Sequence, residues 1–205
     1  MQYRPWMVGG KGYSEEKIPD FQTNDGLTLP SGGLGFLSSD ECAATLDLRN
    51  LVTPRHAITG NGVGGRSMNE RTSTVWEVYP GPETEWLFNK LEVALMKLNE
   101  QWKFDLYGFL EGAQIYEYPI GGFLNWHRDV GMGYMSARKL SMTLQLSHST
   151  DYDGGDLEFM DFQEKAPRGR GDLTVFPSFL MHRVTSVTRG MRLCCVSWVH
   201  GPPFR

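Results

Sequence analysis

From about Thr84 to Gln101 the apolar residues Leu87, Leu91, Ala94, Leu95 and Leu98 recur at intervals of three and four, which places them on one helix face. The spacing predicts an amphipathic helix that backs a sheet. A shorter helix is announced by Ser38 and Glu41, a capping box in which each side chain answers the other's backbone N–H. Leu37 and Cys42 would staple its start, and Ala43, Leu46 and Leu48 would continue its buried side. Thr74–Tyr79 alternates as a strand and stops at Pro80-Gly81-Pro82. After Asp105 the period becomes two and strands dominate to the end. Gln114, Tyr116 and Tyr118 share one strand face. Ser141, Thr143 and Gln145 alternate with Leu140, Met142, Leu144 and Leu146, so that strand has a polar and an apolar face. Further strands are expected at Leu157–Met160, Leu173–Phe176 and Met191–Val199, between Gly-rich turns. Helices early and short antiparallel strands late predict an α+β or mainly-β fold built on a sandwich or barrel.

Residues 1–33 show no period and read as an irregular arm, ordered in part by Trp6 and Phe21. Residues 59–74 are Gly-rich and polar, and no apolar strand leads into them, so they read as a flexible loop rather than a nucleotide site. A length of 205 residues fits one domain. Residues 1–73 would form the arm, capped helix and loop, and residues 74–205 the catalytic core. Net charge is -4 and no basic tract appears, so nucleic acid is not the expected partner. No apolar run is long enough to span a membrane, and Met1–Lys17 lacks the apolar centre of a signal peptide. Cys42, Cys194 and Cys195 do not form a disulfide framework. A cytoplasmic location is expected.

The candidate chemistry lies in two distant stretches, Tyr118–Asp129 and Phe176–Arg192. His127 and Asp129 are two apart, which on a strand aims both at one point. With 5 His and 24 acidic residues, a His-x-acid step arises by chance in about half of such chains, so the step gains weight only from its company. That company is His182, with Arg192 ten residues later. Two imidazoles and a carboxylate on one side of a metal, other positions open, is the arrangement of non-haem Fe(II) oxygenases. Arg192 sits in an otherwise apolar strand, where a guanidinium calls for an anion. The far carboxylate of 2-oxoglutarate fits that fork. Tyr118 and Thr143 would complete the pocket. His56, His148 and His200 lie beside turns or Pro and read as solvated.

These residues resemble the Fe(II)/2-oxoglutarate-dependent dioxygenases, and within them the prolyl/lysyl hydroxylase-type branch similar to prolyl 4-hydroxylase. The resemblance runs through FDLYGF (104–109), QIYEYPIGG from Gln114, NWHRDVG ending at Gly131, RKLSMTLQLS (138–147), DYDGGDLEF (151–159), GDLTVFPS (171–178) and HRVTSVTRGMR from His182. It implies a double-stranded β-helix, a distorted jelly roll, with supporting helices. It implies that His127, Asp129 and His182 hold iron, that Arg192 binds the distal carboxylate assisted by Tyr118, and that Trp198 lines the iron pocket. The implied cofactors are Fe(II), 2-oxoglutarate and O2, with ascorbate in support. The collagen-type enzymes usually carry Lys where this chain has Arg192, and often an aromatic residue where it has Leu124.

The expected activity is hydroxylation of a peptidyl residue, proline foremost, with release of succinate and CO2. The partner would then be a Pro-containing peptide or protein, over which residues 60–65 and 130–135 could fold. A hydroxylase of a free amino acid or small metabolite is the alternative enzyme. A non-catalytic binding module is the alternative of another class. Nucleic-acid demethylases of the superfamily tend to carry a second Arg at the position of Trp198.

Overall fold

A computed structural model describes residues 24, 26–57 and 71–204, with Arg71 by its backbone only. The expected roles of Trp6, Phe21 and the 60–65 lid fall outside these residues. The capped helix forms as α1, Ser39–Asp47. Ser38 Oγ accepts from the Glu41 N–H at 3.2 Å, and Glu41 Oε2 accepts from the Ser38 N–H at 2.7 Å. Its buried stripe is Cys42, Thr45 and Leu48 rather than one through Ala43, which is exposed, because intervals of three set the face. The long helix is α2, Glu85–Trp102, burying Leu87, Phe88, Leu91, Leu95 and Trp102. Lys103 ends it in the left-handed region at φ 56°, and the Asn99 side chain takes over the Phe104 N–H at 3.0 Å. Among the described residues no helix is long and apolar enough to cross a membrane.

Among the described residues there are thirteen short strands, in chain order β1 Ser31–Gly33, β2 Arg55–His56, β3 Arg71–Thr72, β4 Thr74–Val78, β5 Ala113–Tyr118, β6 Phe123–His127, β7 Arg138–Gln145, β8 Tyr152–Gly154, β9 Leu157–Phe159, β10 Leu173–Pro177, β11 His182–Val184, β12 Val187–Gly190 and β13 Arg192–His200. A seven-stranded sheet has the order β1-β10-β7-β13-β5-β4-β2, a four-stranded sheet β3-β6-β11-β9, and β12 pairs with β8. All pairings are antiparallel. This is the mainly-β jelly roll with supporting helices that the motifs imply. Two strands lie where irregular chain was expected. Ser31–Gly33 joins β10, where a Cβ on Gly32 would meet the Leu173 carbonyl oxygen at 1.9 Å. Arg71–Thr72 pairs with Phe123 and Leu124, so the loop expected over 59–74 gives way to sheet before its end.

The two faces of β7 organise the molecule. Leu140, Met142 and Leu144 pack with α2 residues Leu87, Leu91 and Leu95 and with Ile115, Val175, Cys195 and Val199. Ser141, Thr143 and Gln145 point the other way and are also buried, so the polar face looks inward rather than to solvent. A jelly roll with one apolar outer core and one polar interior follows from that alternation. Leu91→Ala should destabilise the protein by about 2–5 kcal/mol. Val93→Ala, at a site 73% exposed, should stay within about 0.5 kcal/mol, both read from urea unfolding.

Candidate active site

His127 closes β6 and His182 opens β11, and the antiparallel register sets them directly opposite. Their ring centroids are 4.1 Å apart. Each ring holds Nδ1 against the carbonyl oxygen two residues earlier, Asn125 at 2.8 Å and Leu180 at 2.9 Å. Donation from Nδ1 leaves the Nε2 lone pair of each ring free to face inward. Asp129 completes the set, but from a loop beyond the end of β6 rather than from the same strand face. There its N–H donates to the Ser178 carbonyl at 2.9 Å, and Arg138 Nη1 donates to its carbonyl oxygen at 3.2 Å. Ser141 Oγ donates to Asp129 Oδ2 at 2.6 Å and lies 3.0 Å from Ser178 Oγ. The carboxylate then stands 3.4 Å from His127 Nε2 through Oδ1 and 3.6 Å from His182 Nε2 through Oδ2. One potential ligand atom from each residue lies within 4.8 Å of the others, and among the described residues no second group of this kind occurs.

Burial works to raise the Asp129 carboxyl, but His182, His127 and Arg138 outweigh it and hold the group well below the usual carboxylate range. Burial pushes His182 down to about 4, against the pull of Asp129. The pair titrates together, and at neutral pH it is an ionised carboxylate beside a neutral imidazole. That is the protonation state a metal requires of its ligands. A borderline N2O donor set with room on its open side fits Fe(II).

The three side chains face a cavity of about 1340 Å³. Arg192, Tyr118, Thr143 and Trp198 also line it, as expected. Arg192 opens β13 opposite Tyr118, is 1% exposed, and has its guanidinium 5.3 Å from the Tyr118 ring centroid. Among the described residues none of its three guanidinium nitrogens has a hydrogen-bond partner. A buried cation left without an acceptor fits the distal carboxylate of 2-oxoglutarate.

Other residues of the site were not singled out by the sequence. Arg138 stacks 3.9 Å from the Trp198 ring centroid and is held by both carboxylate oxygens of Glu111. His200, expected to be solvated, is 1% exposed and sits 2.8 Å from Glu111 Oε1. The nearby prolines do not end β13 before it, and Gly108 bridges to it. His56 and His148 are exposed as expected. Arg138 opens β7 ahead of its alternation rather than in an apolar run, so no local signal set it apart.

Residues 113–200 match the family model of the 2OG-Fe(II) oxygenase superfamily. That stretch holds the donor residues and Arg192. Among curated proteins the chain is similar to a PKHD-type hydroxylase of Synechococcus sp. (strain CC9311), 42% identical over 74 residues, 34% of each chain. It is also similar to a PKHD-type hydroxylase of Rhizorhabdus wittichii, 35% identical over 98 residues, 47% of this chain and 41% of the relative. The matches thus span about a third to two fifths of these relatives' length. A Pseudomonas putida prolyl-4-hydroxylase superposes with a TM-score of 0.67 at 21% identity, covering 84% of this chain and 92% of its own. A Trichoplax adhaerens prolyl hydroxylase, solved with a hypoxia inducible factor peptide fragment, gives 0.67 at 16% identity over 83% of each chain. Both structures share the fold. The resemblance to prolyl hydroxylase-like 2-oxoglutarate oxygenases drawn from the motifs is borne out.

Ser141→Ala removes the hydroxyl that holds Asp129 and should weaken metal binding about ten- to a hundredfold, measured by calorimetric titration with Mn(II). Glu111 gives a pH test. Burial raises its carboxyl, but the bonds to His200 and Arg138 lower it more, to below its ordinary 4.5. A depressed carboxyl stabilises the fold above its unfolded value and loses that stabilisation as pH falls through the folded one. Glu111→Gln should therefore flatten the decline in urea midpoint below about pH 4.5.

Proposed function

We propose that the protein is an Fe(II)- and 2-oxoglutarate-dependent oxygenase that hydroxylates a peptidyl residue, proline foremost, and releases succinate and CO2. The observation that carries this reading is the convergence of His127, Asp129 and His182 in one open cavity with a buried, unpartnered Arg192. In it, His127, Asp129 and His182 hold the metal, and Arg192 with Tyr118 and Thr143 holds the cosubstrate. Bound Fe(II), 2-oxoglutarate and O2 supply the oxidising power to place oxygen into an unactivated C–H bond. The protein's own work is positioning. The two Nδ1 anchors fix ring orientation, Ser141 fixes the carboxylate, and Trp198 with the packed sheet walls keeps water from the reacting bond.

A peptide suits the cavity better than a free metabolite. Its volume exceeds the range of about 300–1,000 Å³ common for small-ligand sites. Exposed Tyr79, Leu110, Met132 and Tyr134 line its mouth, where an extended chain could lie. The names of the relatives point to proline. Three free, buried cysteines suit a reducing, cytoplasmic location, and one domain spanning the arm and core suits the shared hydrophobic cluster of α1, α2 and the large sheet. The test is incubation with Pro-containing peptides, Fe(II), ascorbate and 2-oxoglutarate, reading succinate and a product heavier by one oxygen atom. His127→Ala and Asp129→Ala should each abolish succinate formation. Turnover of a free amino acid with peptides ignored would move the substrate to small metabolites. Turnover retained in both variants would sink the ligand assignment.

A further inference from the structure

Arg128 stands one residue beyond the end of β6, between His127 and Asp129 in the chain, and lines the same cavity from its exposed rim. Its position is fixed on two sides. The Asp129 and Val130 N–H groups both donate to the Ser178 carbonyl, at 2.9 and 3.2 Å, and Arg128 Nε donates to the Phe179 carbonyl at 3.0 Å. A guanidinium tethered through Nε still offers the N–H groups of both Nη atoms, in the planar fork that matches a carboxylate. Among the described residues no carboxylate forms an ion pair with it. The tether does not account for the charge, because a neutral Gln side chain could donate the same bond.

The other guanidinium and carboxylate groups that line the cavity are already matched. Arg55 pairs with Glu77 at 2.9 Å, and Arg138 pairs with Glu111. Asp129 belongs to the donor set, and Arg192 is buried where the cosubstrate's far carboxylate is expected. On the small sheet, Arg183 lies 4.7 Å from the Trp126 ring centroid and pairs with Glu158 at 2.8 Å. Asp129 and Arg192 carry opposite charges, as do a divalent metal and a dicarboxylate. Once these are bound, the Arg128 guanidinium is the unmatched charge that a chain entering the mouth meets.

We propose that the peptide substrate carries an acidic side chain near the hydroxylated residue, and that Arg128 is the specificity-determining residue that binds its carboxylate. This rests on the peptide-hydroxylase reading above. Arg128 is the chain neighbour of two donor residues, about 3.8 Å from each between Cα atoms. An extended peptide advances about 3.3 Å per residue, so the acidic position falls within about three residues of the reacting one. A Lys at that position would meet a like charge, which gives the rim discrimination as well as attraction.

The test loads the full chain with Mn(II) and 2-oxoglutarate and measures, by calorimetric titration, its affinity for proline-centred peptides whose flanking positions carry Glu, Gln or Lys. The peptides are acetylated and amidated, so that no terminal carboxylate competes. Glu peptides should bind about two- to fivefold more tightly than Lys peptides at low salt. The ratio should shrink as salt is raised. Arg128→Gln, which keeps a donor for the Phe179 carbonyl, should bring the Glu-to-Lys ratio to about one, and Arg128→Glu should invert it. With Fe(II), the same order should appear in KM for the peptide rather than in kcat. A purely structural role would weaken both peptides alike and leave the ratio unchanged. Should Arg128→Glu fail to fold, Arg128→Gln decides. Wild-type affinity indifferent to peptide charge, a preference for Lys, or a Glu preference that survives Arg128→Gln would each overturn the proposal. Wild-type protein that binds 2-oxoglutarate but none of the peptides would overturn the peptide reading, and the proposal with it.

Discussion

The guanidinium of Arg192 is the constraint around which the interior is arranged. An ion taken out of water without a partner costs several kcal/mol, so its surroundings must soften the burial until an anion arrives. The face of Tyr118 lies 5.3 Å away across the strand pair and offers its ring electrons. Gly155 withholds the Cβ that would strike the Arg192 stem. The remaining support is remote. The opposite face of the same sheet carries Ile115, Leu140, Met142, Leu144 and Cys195 against α2, and that apolar burial offsets the cost of a polar interior.

The other end of the cavity solves the converse problem, a buried carboxylate. Asp129 is held by a hydroxyl from β7, by the hydrogen bond its own N–H donates to the Ser178 carbonyl, and by two imidazoles from the small sheet. The loop that carries it is tied back by Arg138, whose guanidinium is in turn fixed between Glu111 and the ring of Trp198. His200 closes the chain of contacts on Glu111. Position at the metal site is thus shared between β6, β7, β11 and the end of β13. Sites built on several strands hold their geometry better than a single loop can.

Periodicity made the architecture legible where burial is one-sided. The alternation in β7 and the helical stripe of α2 could be read directly, and the cation in an apolar strand pointed to Arg192. Long-range pairing could not be read. Asp129 looked like a strand neighbour of His127, yet it is placed by Ser141 and Ser178, which only the fold brings near. His200 looked solvated because Pro202 follows closely, but strand pairing continues to that residue. Ala43 is apolar yet falls off the buried side of α1, while Thr45, which donates its hydroxyl to the Glu41 carbonyl, is buried.

Charge balance explains why the pocket should prefer a dianion. Of the charged residues lining the cavity, Arg55 pairs with Glu77 and Arg138 with Glu111, so these contribute no net charge. Arg128 is exposed at the rim and bonds the Phe179 carbonyl at 3.0 Å, where solvent screens it. The Asp129 carboxylate and the Arg192 guanidinium are left, and these two opposite charges cancel. A divalent cation on the donor set then leaves two positive charges in a low-dielectric space. A dicarboxylate held by the metal ligands' ion and by Arg192 would neutralise both, whereas a monocarboxylate would leave one of them buried. A preference for the dicarboxylate would therefore be a property of the whole cavity, in which the Arg192 guanidinium would set where the second negative charge lies.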